Sequence, residues 1–179
     1  IFRTICCIGD SLSSGEFEAD AGDGKSSYHD MYEYSWGQFI ARMCGSKVYN
    51  FSRGGMSAKW YLDSFADEND FWNPEFASQA YIIALGVNDI ICQKNEVGTA
   101  DDIDFNCYKN NKKNFAGYYG EIIQRMKEIQ PRAKLFLMTM ANGGEKDDRK
   151  EDKEAHRAFL YSLAEKFDNT YVIDLMKYG

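Results

Sequence analysis

Apolar positions along the chain follow two patterns. Five short runs are apolar almost throughout: Thr4 to Ile8, Lys47 to Phe51, Tyr81 to Leu85, Lys134 to Met140 and Tyr171 to Leu175. Runs of this length with little polar alternation suit strands covered on both faces. Between them the pattern turns helical, over Tyr34 to Cys44, Phe115 to Gln130 and roughly Asp148 to Phe167. Tyr119, Ile122, Ile123, Met126 and Ile129 share one stripe of the second segment, and Ala155, Phe159, Leu163 and Phe167 one stripe of the third. Pro131 closes the second, because proline has no N–H to continue a helix.

Strands alternating with helices predict an α/β fold, a three-layer α/β/α sandwich around a five-stranded parallel sheet with right-handed crossovers. A length of 179 residues suits one domain over residues 1–179. No repeat, linker or low-complexity tract interrupts it. In such sheets ligands bind beyond the carboxyl ends of the strands. Two segments, Leu12 to Glu33 and Cys92 to Lys113, are too long and polar to be simple connections, and both flank that edge.

Composition narrows the functional classes. A hydrophobic fraction of 44% and an aromatic fraction of 15% exclude a disordered chain. A formal charge of −7 argues against nucleic acid or an anionic membrane as partner, since both need a basic face. No stretch approaches the roughly 20 apolar residues of a membrane span. Cys6, Cys7, Cys44, Cys92 and Cys107 form no Cys-x-x-Cys pair, and this odd, unpatterned set suits a reducing, cytoplasmic setting. Secretion is the alternative, because Ile1 stands close to a strand and a leader can have been removed. The Asn50-Phe51-Ser52 sequon falls in a strand-end motif and is read as accidental.

Three islands carry the chemistry: Gly9-Asp10-Ser11, Asn50 to Ser57, and Gly86-Val87-Asn88-Asp89. Each follows a strand-like run, so all three are expected at one sheet edge. Acyl transfer by serine needs a nucleophile on a tight turn and donors facing the developing oxyanion. Ser11 and Asn88 suit those roles, and a glycine of the second island lets a backbone N–H approach a substrate oxygen. Ordinary Gly/Asn turns of another α/β sandwich are the plain alternative. Gly55-Met56-Ser57-Ala58 lacks the closing glycine of a Gly-x-Ser-x-Gly elbow, and Ser57 reads as a helix cap. Gly24-Lys25-Ser26 resembles the end of a P-loop, but Ala19 stands where that motif starts with glycine. Asp101, Asp102 and Asp104 lack the spacing of a calcium loop and read as a solvated loop or helix start. No cofactor or metal is therefore expected.

Gly-Asp-Ser, then Asn-x-x-x-x-Gly, then Gly-x-Asn-Asp, each after a strand, resembles the SGNH, or GDSL, hydrolase family from Ile1 to about Asp174. The resemblance implies a serine esterase or lipase on a flavodoxin-like fold, acting through an acyl-serine without cofactor. It makes Ser11 the nucleophile and gives the oxyanion to Ser11 N–H, Gly55 N–H and the Asn88 side chain. Gly55 is preferred over Gly54 because it lies five residues after Asn50, the family's usual offset. Asp10 is expected to order its turn and Asp89 to brace the third-strand loop. Phe17, Tyr28, Met31, Tyr32, Trp36, Trp60 and Tyr61 stud the loops around these islands. They suggest a small-molecule or carbohydrate ester, with a short acyl group on sugar favoured. A lipase or lysophospholipase, and a non-catalytic binding module, are the alternatives.

The departure from the family is at the end of the chain. Its base belongs to an Asp-x-x-His motif after the fifth strand, and no such motif occurs; Asp174 is read as part of the strand itself. His156, four residues after Asp152 on a helix, and His29, in the loop after the nucleophile, are both read as solvated or locally paired. The helix that should cover one sheet face after the fifth strand is also missing. The expectation is a longer protein whose C-terminal segment carries that helix together with the catalytic Asp and His.

Overall fold

The computed structural model describes residues 2–20, 22, 24–144 and 147–178. Strand β1 (Thr4–Gly9) runs into a one-turn helix, α1 (Ser11–Ser14), and a hairpin of β2 (Glu16–Asp20) and β3 (Ser26–Asp30). Next come α2 (Trp36–Cys44) and β4 (Lys47–Ser52). A helical rod then joins α3 (Ala58–Trp60), a π turn (Tyr61–Phe65) and α4 (Ala66–Glu68). Strand β5 (Ala80–Ala84) precedes a second π turn (Val87–Cys92). Helix α5 (Phe115–Ile129), β6 (Lys134–Met138), α6 (Lys150–Lys166) and β7 (Thr170–Ile173) complete the order.

The main sheet is parallel throughout, in the order β4-β1-β5-β6-β7. Counting its members along the chain this is 2-1-3-4-5, the flavodoxin-like order, and the strand order reverses at β1 and β5. The predicted α/β sandwich is therefore what the chain forms. Side chains alternate across the sheet as strand geometry demands. Cys6, Ile8, Tyr81, Ile83, Leu135 and Leu137 face the helical rod, α5 and α6, and build the larger core. Ile5, Cys7, Val48 and Ile82 face α2, the α-helix whose residues enter the second cluster. Beyond the reach of α2, Phe136, Met138 and Ile173 are only half-buried, and Tyr171 is exposed. Among the described residues, no helix is long and apolar enough to cross a membrane.

Three local readings change. The polar stretch from Leu12 to Glu33 is not a plain loop; it holds α1 and the β2–β3 hairpin. The hairpin stands outside the main sheet and its side chains are largely exposed, so no apolar alternation marks it. Strand β7 ends at Ile173, and Asp174 instead stands at the head of a 3-10 turn (Leu175–Lys177), its carboxylate accepting hydrogen bonds from Arg157 and Tyr161. His156 is neither solvated nor paired. Its exposure is 0%, neither ring nitrogen has a hydrogen-bond partner among the described residues, and Asp152 pairs with Arg149 instead.

Candidate active site

Register places the three islands side by side. Gly9, the last residue of β1, is level with Ser52 at the end of β4 and Ala84 at the end of β5. The chain therefore leaves three adjacent strands on one row, at the edge where the strand order reverses.

Ser11 is the first residue of α1. Asp10 is its N-cap, extended in backbone and accepting the Leu12 N–H at 3.0 Å. This is the expected turn-ordering role, and it satisfies one of the orphan donors of the helix start. Burial pushes the Asp10 carboxyl up to about 6. Arg53 N–H donates to Gly9 O at 3.3 Å, and the Asn50 amide donates to Ser13 O at 2.8 Å and to Ser35 Oγ at 3.2 Å. The second island is thereby bound to the first, and Asn50 acts as a strut.

Arg53 to Met56 closes a turn, with Met56 N–H donating to Arg53 O at 3.2 Å and Gly55 at φ +73°. That left-handed conformation favours glycine. The two glycines of the turn differ in their donors. Gly54 N–H is committed to the Asp30 carboxylate at 3.1 Å, whereas Gly55 N–H has no partner among the described residues. Ser57 caps α3 by accepting Trp60 N–H at 3.1 Å, the role read from the sequence. The Trp60 ring lies beside Gly55, 3.9 Å from where a Cβ would stand, with the Arg53 guanidinium 5.3 Å from its centroid.

The third island bends over the second. Gly86, at φ +134°, opens the π turn that carries Asn88. A side chain there is excluded twice, by backbone conformation and because its Cβ would stand 2.8 Å from His156 Nε2. Asn88 donates one amide hydrogen to Met56 O at 3.0 Å; a primary amide has a second hydrogen to offer. Both carboxylate oxygens of Asp89 accept the Ala58 N–H at 3.1 Å, joining the third island to the rod. Burial pushes the Asp89 carboxyl up to about 6, with Asp10 adding a little. Arg149 donates to Ile91 O at 3.0 Å and Ile90 O at 3.3 Å, holding the turn from the α6 side.

Among the described residues neither histidine is hydrogen-bonded to Ser11. His29 lies on the exposed hairpin, 3.0 Å from Ser27 Oγ and stacked on Phe17 at 5.3 Å. His156 packs against Phe115 at 5.8 Å and against Gly86. Burial pulls its pKa down to about 4, the Leu85 backbone opposing weakly, although no bond to Leu85 meets hydrogen-bond geometry. His156, Asp10 and Ser13 are among the polar groups lining a largely apolar cavity of about 380 Å³ at the carboxyl ends of β1, β5 and β6. Asp102, one of the three acids weighed for a cation, closes a capping box with Thr99 and pairs with Lys112 and Asn114.

Ser11, Gly55 and Asn88 thus stand on adjoining elements stitched by side-chain bonds. Sequence reasoning missed Asp30 and Arg149, whose partners in α1, the second island and the second π turn are 16 to 59 residues away. Nothing local in the sequence marks either residue.

A comparison with curated proteins found no match. Among solved structures, a family two carbohydrate esterase from Clostridium thermocellum in complex with cellohexaose is similar at 16% identity and a TM-score of 0.64, covering 96% of this chain and 53% of that one. A carbohydrate esterase family 2 enzyme from Corynascus thermopiles (Myceliophthora fergusii) gives 16% and 0.61, over 99% of this chain and 57% of its own. A G-D-S-L family protein from Desulfitobacterium hafniense DCB-2 gives 16% and 0.59, over 96% and 77%. The chain thus spans little more than half the length of these two carbohydrate esterases. At such identities the likeness is one of fold. The family is settled separately, by a match of residues 7–178, which contain all three islands, to the model of the GDSL-like lipase/acylhydrolase family: the chain belongs to that family.

Proposed function

We propose that the protein hydrolyses a carboxylic ester through an acyl-serine intermediate. Ser11 Oγ attacks the ester carbonyl, and the oxyanion is held by Ser11 N–H, Gly55 N–H and the second amide hydrogen of Asn88. The observation that carries this reading is the difference between the two glycines. Gly54 N–H is consumed within the protein, while among the described residues Gly55 N–H has no partner, and Asn88, bonded to the neighbouring Met56 O, has a second amide hydrogen. Preorganised donors of this kind are worth most where charge develops in the transition state.

The base that takes the Ser11 proton is, in this proposal, a histidine from outside residues 1–179. His156 is walled in under Gly86 with its basicity suppressed, and His29 faces Ser27 on the hairpin. The ester is assigned to a carbohydrate bearing a short acyl group. Exposed Tyr28, Tyr32 and Trp60, on and near the hairpin and beside Gly55, offer flat faces for a sugar ring. The bound cellohexaose of the similar Clostridium esterase accords with that assignment.

The test uses the full-length protein. A fluorophosphonate probe should label wild type and not S11A, and acetyl p-nitrophenyl esters should be cleaved faster than long-chain ones. A clear preference for long acyl chains makes the protein a lipase instead, and an unreactive Ser11 makes it a binding module.

A further inference from the structure

The hairpin inserted after the nucleophile does more than extend the surface. Its last residue, Asp30, closes a connection between two parts of the site that lie far apart in sequence. Ser14 Oγ donates to Asp30 Oδ1, and Gly54 N–H donates to the same oxygen at 3.1 Å, with Oδ2 at 3.4 Å. Ser14 is fully buried, and its Oγ also lies 3.2 Å from the carbonyl oxygen of Ser11. A continuous path therefore runs from Ser11 through Ser14 and Asp30 to Gly54, the neighbour of Gly55.

Other contacts hold both ends of that path in place. Met31 N–H donates to Gly15 O at 3.2 Å, which fastens the root of the hairpin to the end of α1. Glu16, opposite Asp30 in the hairpin, lies over Gly54 so closely that a Cβ there would fall 1.8 Å from its Oε2. Gly54 N–H is pinned by Asp30 and Met56 N–H closes the turn on Arg53 O, so the peptides on both sides of the Gly54–Gly55 peptide are hydrogen-bonded.

We propose that Asp30 is a positioning residue. Through one carboxylate oxygen it sets the distance and angle between the nucleophile on α1 and the Gly55 N–H. The proposal rests on the serine-esterase reading above. A carboxylate suits the task because it only accepts, and one oxygen can take two donors. Acyl transfer is sensitive to the relation it fixes, since misplacement by about 1 Å can cost about a hundredfold in rate.

The test measures kcat and KM of the full-length protein on a short acyl ester for D30A, D30N and S14A, with S11A as reference. D30A should lower kcat about a hundredfold and leave KM within about twofold, because substrate contacts survive while the oxyanion geometry does not. D30N should stay within about fivefold of wild type, because its Oδ1 still accepts both donors. S14A, which cuts the path at one end only, should lower kcat about tenfold, and it carries the test if D30A fails to fold. Exchange of the Gly54 amide hydrogen should accelerate in D30A or, failing that, in a strand-end variant of intermediate severity such as D30S. A lower melting temperature with unchanged kcat per folded molecule would reduce Asp30 to a structural lock and overturn the proposal, as would a D30N as slow as D30A. Hydrolysis that survives in S11A would instead overturn the esterase reading itself.

Discussion

Replacing His156 by leucine gives a direct measure of how the fold treats a buried base. The ring is fully enclosed, with both nitrogens unpartnered and pKa pulled down to about 4 by burial. In the unfolded chain the same group titrates near 6.5. A depressed histidine pKa means that the native state refuses a proton that the unfolded state accepts. Stability is therefore full above about pH 6.5 and is lost as pH falls through 4. At about pH 4.5 the unfolded state has gained two pH units of protonation that the native state has barely begun, a difference of roughly 2.5 kcal/mol. His156→Leu removes that titration. At about pH 8 the variant should gain on the order of 1 kcal/mol, because two orphaned polar atoms leave an apolar site. Its advantage should then widen by about 2.5 kcal/mol on going to pH 4.5. Asp10 and Asp89 titrate in the same range in both proteins, so the difference isolates residue 156 to first order. Urea unfolding at the two pH values, with equal m-values, is the assay. A gap that stays constant to within about 0.5 kcal/mol would refute the reasoning, since it would mean that the buried ring protonates as freely as an exposed one.

Two further outcomes follow from the same geometry. Asn88→Ala should lower kcat by about a hundredfold or more on a short acyl ester. Its stability should fall by only about 1 kcal/mol for the lost bond to Met56 O, so a kcat equal to wild type by the side of normal folding would take Asn88 out of the oxyanion site. Asp89 behaves oppositely to His156. Its pKa is raised from 3.8 to about 6, so its contribution is most favourable below 3.8 and is lost as pH rises through 6. Asp89→Asn should gain on wild type by on the order of 2–3 kcal/mol between about pH 4 and pH 7.5, and parallel stability–pH curves would contradict the buried-carboxylate account.

Burial on both faces writes β1 and β5 as unbroken apolar runs, and all five runs of the main sheet are legible to within about two residues at their ends, although one face of β6 and β7 is half-buried or exposed. The hairpin escapes the same logic. Glu16, Glu18, Asp20, Ser26 and Asp30 carry no apolar period, because its two strands pack on no core. Ser57 was readable as a cap because capping is local, between residues three apart. His156 was misread because helical spacing to Asp152 says which residues can meet on a helix and nothing about what the helix packs against.

The sequence by itself determined the alternation of strands and helices, the three Gly-centred islands and, with them, the GDSL family. Those features reside in runs and turns of a few residues, where periodicity and backbone freedom act locally. Only the tertiary structure decided which glycine of the second island keeps a free N–H, which histidine is buried, and that Asp30 joins Ser14 to Gly54. Each depends on partners brought together across 16 to 70 residues of chain by the assembled strands and hairpin, as when Gly86 meets His156. Hydrogen-bond satisfaction in a folded interior is a property of that assembled edge, and no local stretch of the chain encodes it.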